Sequence, residues 1–149
     1  MAEKGGSAAF CPTSNLFLGS GLFDLAAMRD ASIRCGLGTD VGGGTSLSVL
    51  KTASEAYKVL HLQDHALPPM QALYLATLGA AEALHLENHI GNFSPGKEAD
   101  FVVLDPDATR LTARRIAAAE TIEESFFALL TLADDRHVAA TYIRGKALK

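Results

Sequence analysis

The sequence predicts an α/β protein: a piece of a parallel strand-and-helix barrel, then a segment of different character that adds further strands. Three observations carry this reading. A short apolar run from Ser7 to Cys11, a helical stretch after it and a second short strand ending at Asp40 make one strand–helix–strand unit, and such crossovers are right-handed in nearly all cases. The stretch Gly36 to Thr45, G-L-G-T-D-V-G-G-G-T, carries a lone carboxylate from the end of a strand into three consecutive glycines, which is how a barrel presents a catalytic group at the carboxyl ends of its strands. From Gly91 the chain turns to G-N-F-S-P-G-K-E-A-D, turn chemistry that leads into a β-branched and aromatic strand. A complete (β/α)₈ barrel takes about 250 residues. A chain of 149 holds only part of one.

The first strand, Ser7 to Cys11, is bounded by Gly5-Gly6 and Pro12, and its small apolar residues suit a buried parallel strand. Pro12 disfavours helix at Cys11 and turns the chain, so Thr13, Ser14 and Asn15 are expected on the loop beyond the strand. There they either satisfy loop backbone groups or contact a ligand at the rim that also holds Asp40. Asp24 is a good N-cap for a helix running to about Ile33, with Leu25, Met28 and Cys35 along one side. Gly36 is read as ending that helix and opening the strand Gly36 to Thr39.

Asp40 either caps the next helix or serves as a site carboxylate, and Gly42, Gly43 and Gly44 suit a site wall as well as a turn. Val49, Ala53, Ala56 and Leu60 recur at helical spacing, so Ser46 to Leu62 reads as the next helix. A further helix is expected from Pro69 to about Leu78, interrupted by Gly79 before Ala80 to Leu84.

Phe101 to Leu104 is a strand ended by Asp105-Pro106. Thr121 to Glu124 reads as a capping box opening a helix whose apolar stripe is Ile122, Phe126, Leu129, Leu130 and Ala133. Val138 to Ile143 is the last clear strand, and Lys146 to Lys149 can add a short one.

Composition excludes several function classes. Thirteen basic and seventeen acidic residues leave a formal net charge of −4, with Lys and Arg scattered apart from Arg114-Arg115, so there is no nucleic-acid footprint. No run approaches a membrane span and Met1 to Gly6 has no apolar leader core, so a cytoplasmic location is expected. Cys11 and Cys35 read as small core residues rather than a disulfide. His61 and His65, like His85 and His89, are four apart, but each pair lies where its helix runs out. Two ligands are in any case too few for zinc. His137 stands alone.

C-P-T-S-N at residues 11–15 and G-T-D at 38–40 resemble the deaminase branch of the amidohydrolase superfamily, and the longer matches CPTSNLFLGSGLF and GLGTDVGGGTS resemble its guanine deaminases. LATLGAAEAL, IGNFSPGKEADFVVLD and ESFFALLTLADDRHVAATYIRGKAL extend the likeness over nearly the whole chain. The resemblance implies the last two βα units of an amidohydrolase TIM barrel over residues 1–90. Over residues 91–149 it implies strands of an accessory β-sandwich with one helix.

It further implies hydrolytic deamination of guanine to xanthine and ammonia at one zinc ion, with Asp40 as a metal ligand and proton-transfer group and with Ser14, Asn15 and Phe17 as rim candidates for the purine. The H-x-H pair, the other histidine ligands and the acid glutamate of that family have no match here. A C-terminal fragment, inactive alone and associating with itself or with the rest of its enzyme, is therefore expected. The alternatives are a fragment of a triazine or adenosine-derivative hydrolase, or a non-catalytic module that binds a partner.

Overall fold

Two small sheets flanked by helices make up the computed structural model, which describes residues 5–148. Strands β1 (Ser7–Phe10) and β2 (Arg34–Leu37) pair in parallel, in register from Ser7↔Arg34 to Phe10↔Leu37. The crossover between them is formed by helices α1 (Pro12–Leu18) and α2 (Leu25–Asp30). Phe10 is fully buried and stacks on Phe23, with ring centroids 4.6 Å apart. Leu25 and Cys35 join it in the core, and α3 (Val49–His61) adds Ala53, Ala56, Val59 and Leu60.

Thr13, Ser14 and Asn15 lie in the first turn of α1, not on a loop. Proline restricts the residue before it, but its fixed φ is suited to the first helical position, so Pro12 starts a helix instead of preventing one. Asp24 does cap α2, its Oδ1 accepting the Ala27 N–H at 2.8 Å. That helix stops at Asp30, before the expected Ile33. Ser32, at φ 54°, donates its N–H to Arg29 O, and Ile33 donates to Met28 O, which is the double closure of a Schellman end with serine in the place glycine usually takes.

Gly36 therefore terminates nothing. It lies inside β2, where a Cβ would stand 2.5 Å from Ala80 Cα, so it is glycine because the backbone of α5 (Leu78–Ala83) rests on the strand. Likewise the break between α4 (Pro69–Ala76) and α5 falls at Thr77. Gly79 is buried within α5, with room for a side chain taken by Tyr74.

The second sheet is antiparallel: β3 (Phe101–Leu104), β4 (Val138–Ile143) and β5 (Lys146–Ala147), with a register shift between Val103 and Leu104. Phe101 and Tyr142 are partners in register and stack at 4.5 Å. Between β3 and β4 run α6 (Arg110–Ala117) and α7 (Ile122–Leu132). Helix α6 was not expected, since R-L-T-A-R-R-I-A offers few apolar positions, yet Thr109 caps it by accepting the Thr112 N–H.

In α7, Thr121 accepts the Glu124 N–H as a capping residue should, but the Glu124 carboxylate takes the N–H of Glu120 instead of that of Thr121. Ile122 is exposed at its first turn and the buried positions are Ala128 and Leu130. This helix packs on α3 and α4 as well as on α6, so the later segment contributes to the same core. Among the described residues no helix is long and apolar enough to cross a membrane.

Candidate active site

The parallel register places the residues following β1 and β2 beside one another. Four residues beyond Phe10 stands Ser14, and three beyond Leu37 stands Asp40. The Ser14 hydroxyl, buried to 2% exposure, donates to Asp40 Oδ2 at 2.6 Å, while Thr13 Oγ1 reaches Thr39 O at 3.4 Å. The first turn of α1 thus clamps the end of β2. A helical serine often returns its hydroxyl to the carbonyl four residues back. Here that carbonyl, Phe10 O, already accepts the Gly38 N–H, and the hydroxyl of Ser14 is turned toward the carboxylate.

The backbone of Asp40 is itself special. Its φ is 46°, a left-handed conformation that aspartate tolerates better than most residues. Its carbonyl accepts the N–H groups of both Gly43 (3.1 Å) and Gly44 (2.5 Å), closing a tight turn. The three glycines have separate reasons. Gly42 takes a positive φ of 117°, a Cβ on Gly44 would collide with the Thr39 carbonyl, and a Cβ on Gly43 would stand 2.8 Å from Ser14 Oγ and 3.2 Å from Asp40 Oδ2. Gly43 is the one whose missing side chain makes room for the serine–aspartate hydrogen bond.

Asp40 is exposed, and among the described residues nothing donates to its Oδ1. One oxygen is tied to the protein and the other is free, which fits one ligand position on a hard or borderline cation. It fits no more than one. Among the described residues there is no group of three or more His, Cys, Asp or Glu side chains able to hold a metal ion. Cys11, half-buried just ahead of α1, has its thiol pKa raised, first by burial and then by the nearby charge of Asp40, so it is held as a thiol. Cys35 is buried and free.

The remaining sequence candidates divide. Asn15 is half-buried, with Oδ1 shielded from solvent and without a partner among the described residues. Phe17 is 68% exposed and lines a shallow groove with Thr13, Leu16, Thr45, Lys51 and Glu55. Of the three rim candidates, Ser14 alone is hydrogen-bonded to Asp40.

The histidine pairs do not converge on a site. His61 stacks on Tyr57, whereas His85, at φ 58°, meets Arg34. His137 is fully buried, its Nδ1 accepting the Asp134 N–H at 3.1 Å and its Nε2 lying 3.0 Å from Thr112 Oγ1. It joins the start of β4 to α6. Spacing in the sequence carried no signal of that pairing.

Comparison with known proteins places this geometry among relatives. Residues 1–148 match the Amidohydrolase family. Guanine deaminase of Escherichia coli (strain K12) is 49% identical over 146 residues, covering 98% of this chain and 33% of the relative. A solved structure of E. coli guanine deaminase superposes with a TM-score of 0.96 over 99% of this chain and 35% of that one. An adenosine deaminase from Xanthomonas campestris with bound zinc is 31% identical with a TM-score of 0.79, covering 98% of this chain and 32% of that one. The chain spans about one third of the length of the curated relatives it matches.

Proposed function

The chain belongs to the amidohydrolase family, and from that membership we propose that it is the C-terminal third of a guanine deaminase, an enzyme that hydrolyses guanine to xanthine and ammonia. The observation that carries the proposal is the likeness of nearly all of this chain to one third of a guanine deaminase, with the G-T-D carboxylate standing just past the end of a parallel strand. The likeness to an adenosine deaminase is weaker in both sequence and superposition, which favours guanine over the alternative substrates.

In this reading β1 and β2 are the last two strands of a TIM barrel occupying residues 1–90. Residues 91–149 then carry accessory β-sandwich strands. Asp40 is one ligand of a zinc ion whose other ligands lie outside this chain. Zinc, when bound, supplies the Lewis acidity that makes water a nucleophile at neutral pH. Asp40 would hold the metal through Oδ1, the oxygen that accepts no hydrogen bond among the described residues, and its carboxylate would take up a proton from the attacking water at Oδ2 and pass it toward the leaving amine.

Ser14 suits such a transfer, because a hydroxyl can donate to a carboxylate oxygen and accept from a carboxylic acid. Asn15 and Phe17 remain the proposed contacts to the purine, Asn15 through an acceptor that has no donor among the described residues. The test is product analysis. The longer polypeptide that carries this segment, loaded with zinc, is expected to release xanthine and ammonia from guanine in equal amounts. The 149-residue chain alone is expected to release none, because one carboxylate cannot hold catalytic zinc. Turnover of a triazine or an adenosine derivative in place of guanine by the longer protein would overturn the assignment.

A further inference from the structure

We infer that Ser14 is a positioning residue for Asp40 rather than a contact to the substrate, and that Gly43 exists to leave that contact room; the inference rests on Asp40 being a zinc ligand as proposed above. Four features of the site support it. The Ser14 side chain is 2% exposed, so it is shielded at the rim where a purine would be bound. Its hydroxyl is already committed to Asp40 Oδ2 at 2.6 Å, within the range of a strong O–H···O⁻ hydrogen bond. The carbonyl four residues back, Phe10 O at the end of β1, already accepts the Gly38 N–H, and the Ser14 hydroxyl points to the carboxylate instead. From the far side, the Gly43 backbone lies so close that a single methyl would press on both partners of the bond, at 2.8 and 3.2 Å.

A carboxylate on an exposed left-handed residue has few other restraints. Asp40 lies three residues past the end of β2, and the only side-chain hydrogen bond it makes among the described residues is the one from Ser14. Without that bond the carboxylate is free to turn about its Cβ–Cγ axis, and the ligand oxygen is no longer presented in one direction. Partners of this kind, hydrogen-bonded to a ligating carboxylate from behind, govern metal affinity as well as rate.

The experiment is zinc affinity by chelator competition, measured without substrate on the longer enzyme carrying Ser14→Ala, Ser14→Cys, Gly43→Ala and the Ser14→Ala/Gly43→Ala pair, with the kcat and KM for guanine alongside. Ser14→Ala is expected to weaken zinc binding by about 10- to 100-fold and to lower kcat with KM unchanged. Ser14→Cys, a weaker donor of similar size, is expected to fall between it and wild type. Gly43→Ala should reproduce the loss, and the double variant should lose less than the sum of the two single losses, since both act on the same hydrogen bond. Unchanged zinc affinity with a raised KM would assign Ser14 to the substrate and overturn the inference. If Ser14→Ala fails to fold, Ser14→Cys and Gly43→Ala decide, and wild-type affinity in both overturns it. A wild-type enzyme that binds no zinc removes the metal reading together with this inference, whereas normal binding in both wild type and Ser14→Ala removes the inference alone.

Discussion

Asp40 and Ser14 are short polar side chains 26 residues apart, and neither has a role without the other's neighbourhood. Asp40 stands out in the sequence as a lone carboxylate between an apolar strand and a run of glycines, a pattern open to two readings, a helix cap or a site carboxylate. Ser14 was legible only as one of several polar residues after a proline. Its partner depends on the parallel register of β1 and β2, which no local pattern encodes. At this scale Asp40→Asn is the direct test of the carboxylate. Asparagine has nearly the same volume and also tolerates a left-handed backbone, so the fold should persist. Turnover of the longer enzyme is expected to fall by at least about 10²-fold, the lower end for losing a proton-transfer group. A variant with near-normal kcat and full zinc content would remove Asp40 from the mechanism.

Among elements, helical and strand periodicity located most of the secondary structure, while the ends were decided by bonds that periodicity does not report. Helix α2 ends on a serine in a left-handed conformation, and α4 and α5 part at a threonine. The nearby glycines that seemed to mark these ends, Gly36 and Gly79, are instead places where another part of the chain touches the backbone. That difference is measurable. Gly36→Ala would drive a methyl into the Ala80 backbone at 2.5 Å, and main chain within a helix cannot step aside cheaply. A loss of about 1–3 kcal/mol in unfolding free energy is expected, the usual cost of overpacking. Gly38→Ala meets the Cys11 Sγ, a side-chain atom that can rotate away, and Ala9 Cβ at the ordinary contact distance of 3.6 Å, and should cost less. Equal midpoints for the two variants in urea would show that α5 does not press on β2 as described.

At the scale of the whole molecule, the parallel sheet has only two strands, so among the described residues β1 and β2 each keep one edge without a strand partner. Such edges recruit other chains. Around them Leu16, Phe17, Leu18, Leu22, Val41 and Leu47 are exposed, a concentration of large apolar side chains in α1 and the loops near the strand ends. In the absence of the remaining two thirds of its relatives' length, the 149-residue chain is expected to self-associate. Sedimentation should show a mass that rises with concentration. A single monomeric species at high micromolar concentration, with the Phe10 and Leu37 amides protected from exchange, would sink this expectation.

What the sequence determined by itself is the set of local choices: apolar strands bounded by breakers, caps at Asp24 and Thr121, glycines after a carboxylate, and the motif that ties the chain to its family. Those are written in residues adjacent or a few positions apart, where sterics and hydrogen bonding act directly. Tertiary structure alone decided which distant groups meet. It set Ser14 against Asp40, Gly36 against Ala80 and buried His137 against Thr112, and it brought α7 onto α3 and α4. These contacts follow from strand register and helix packing, which depend on the summed burial of many side chains at once, and a linear pattern does not carry that sum.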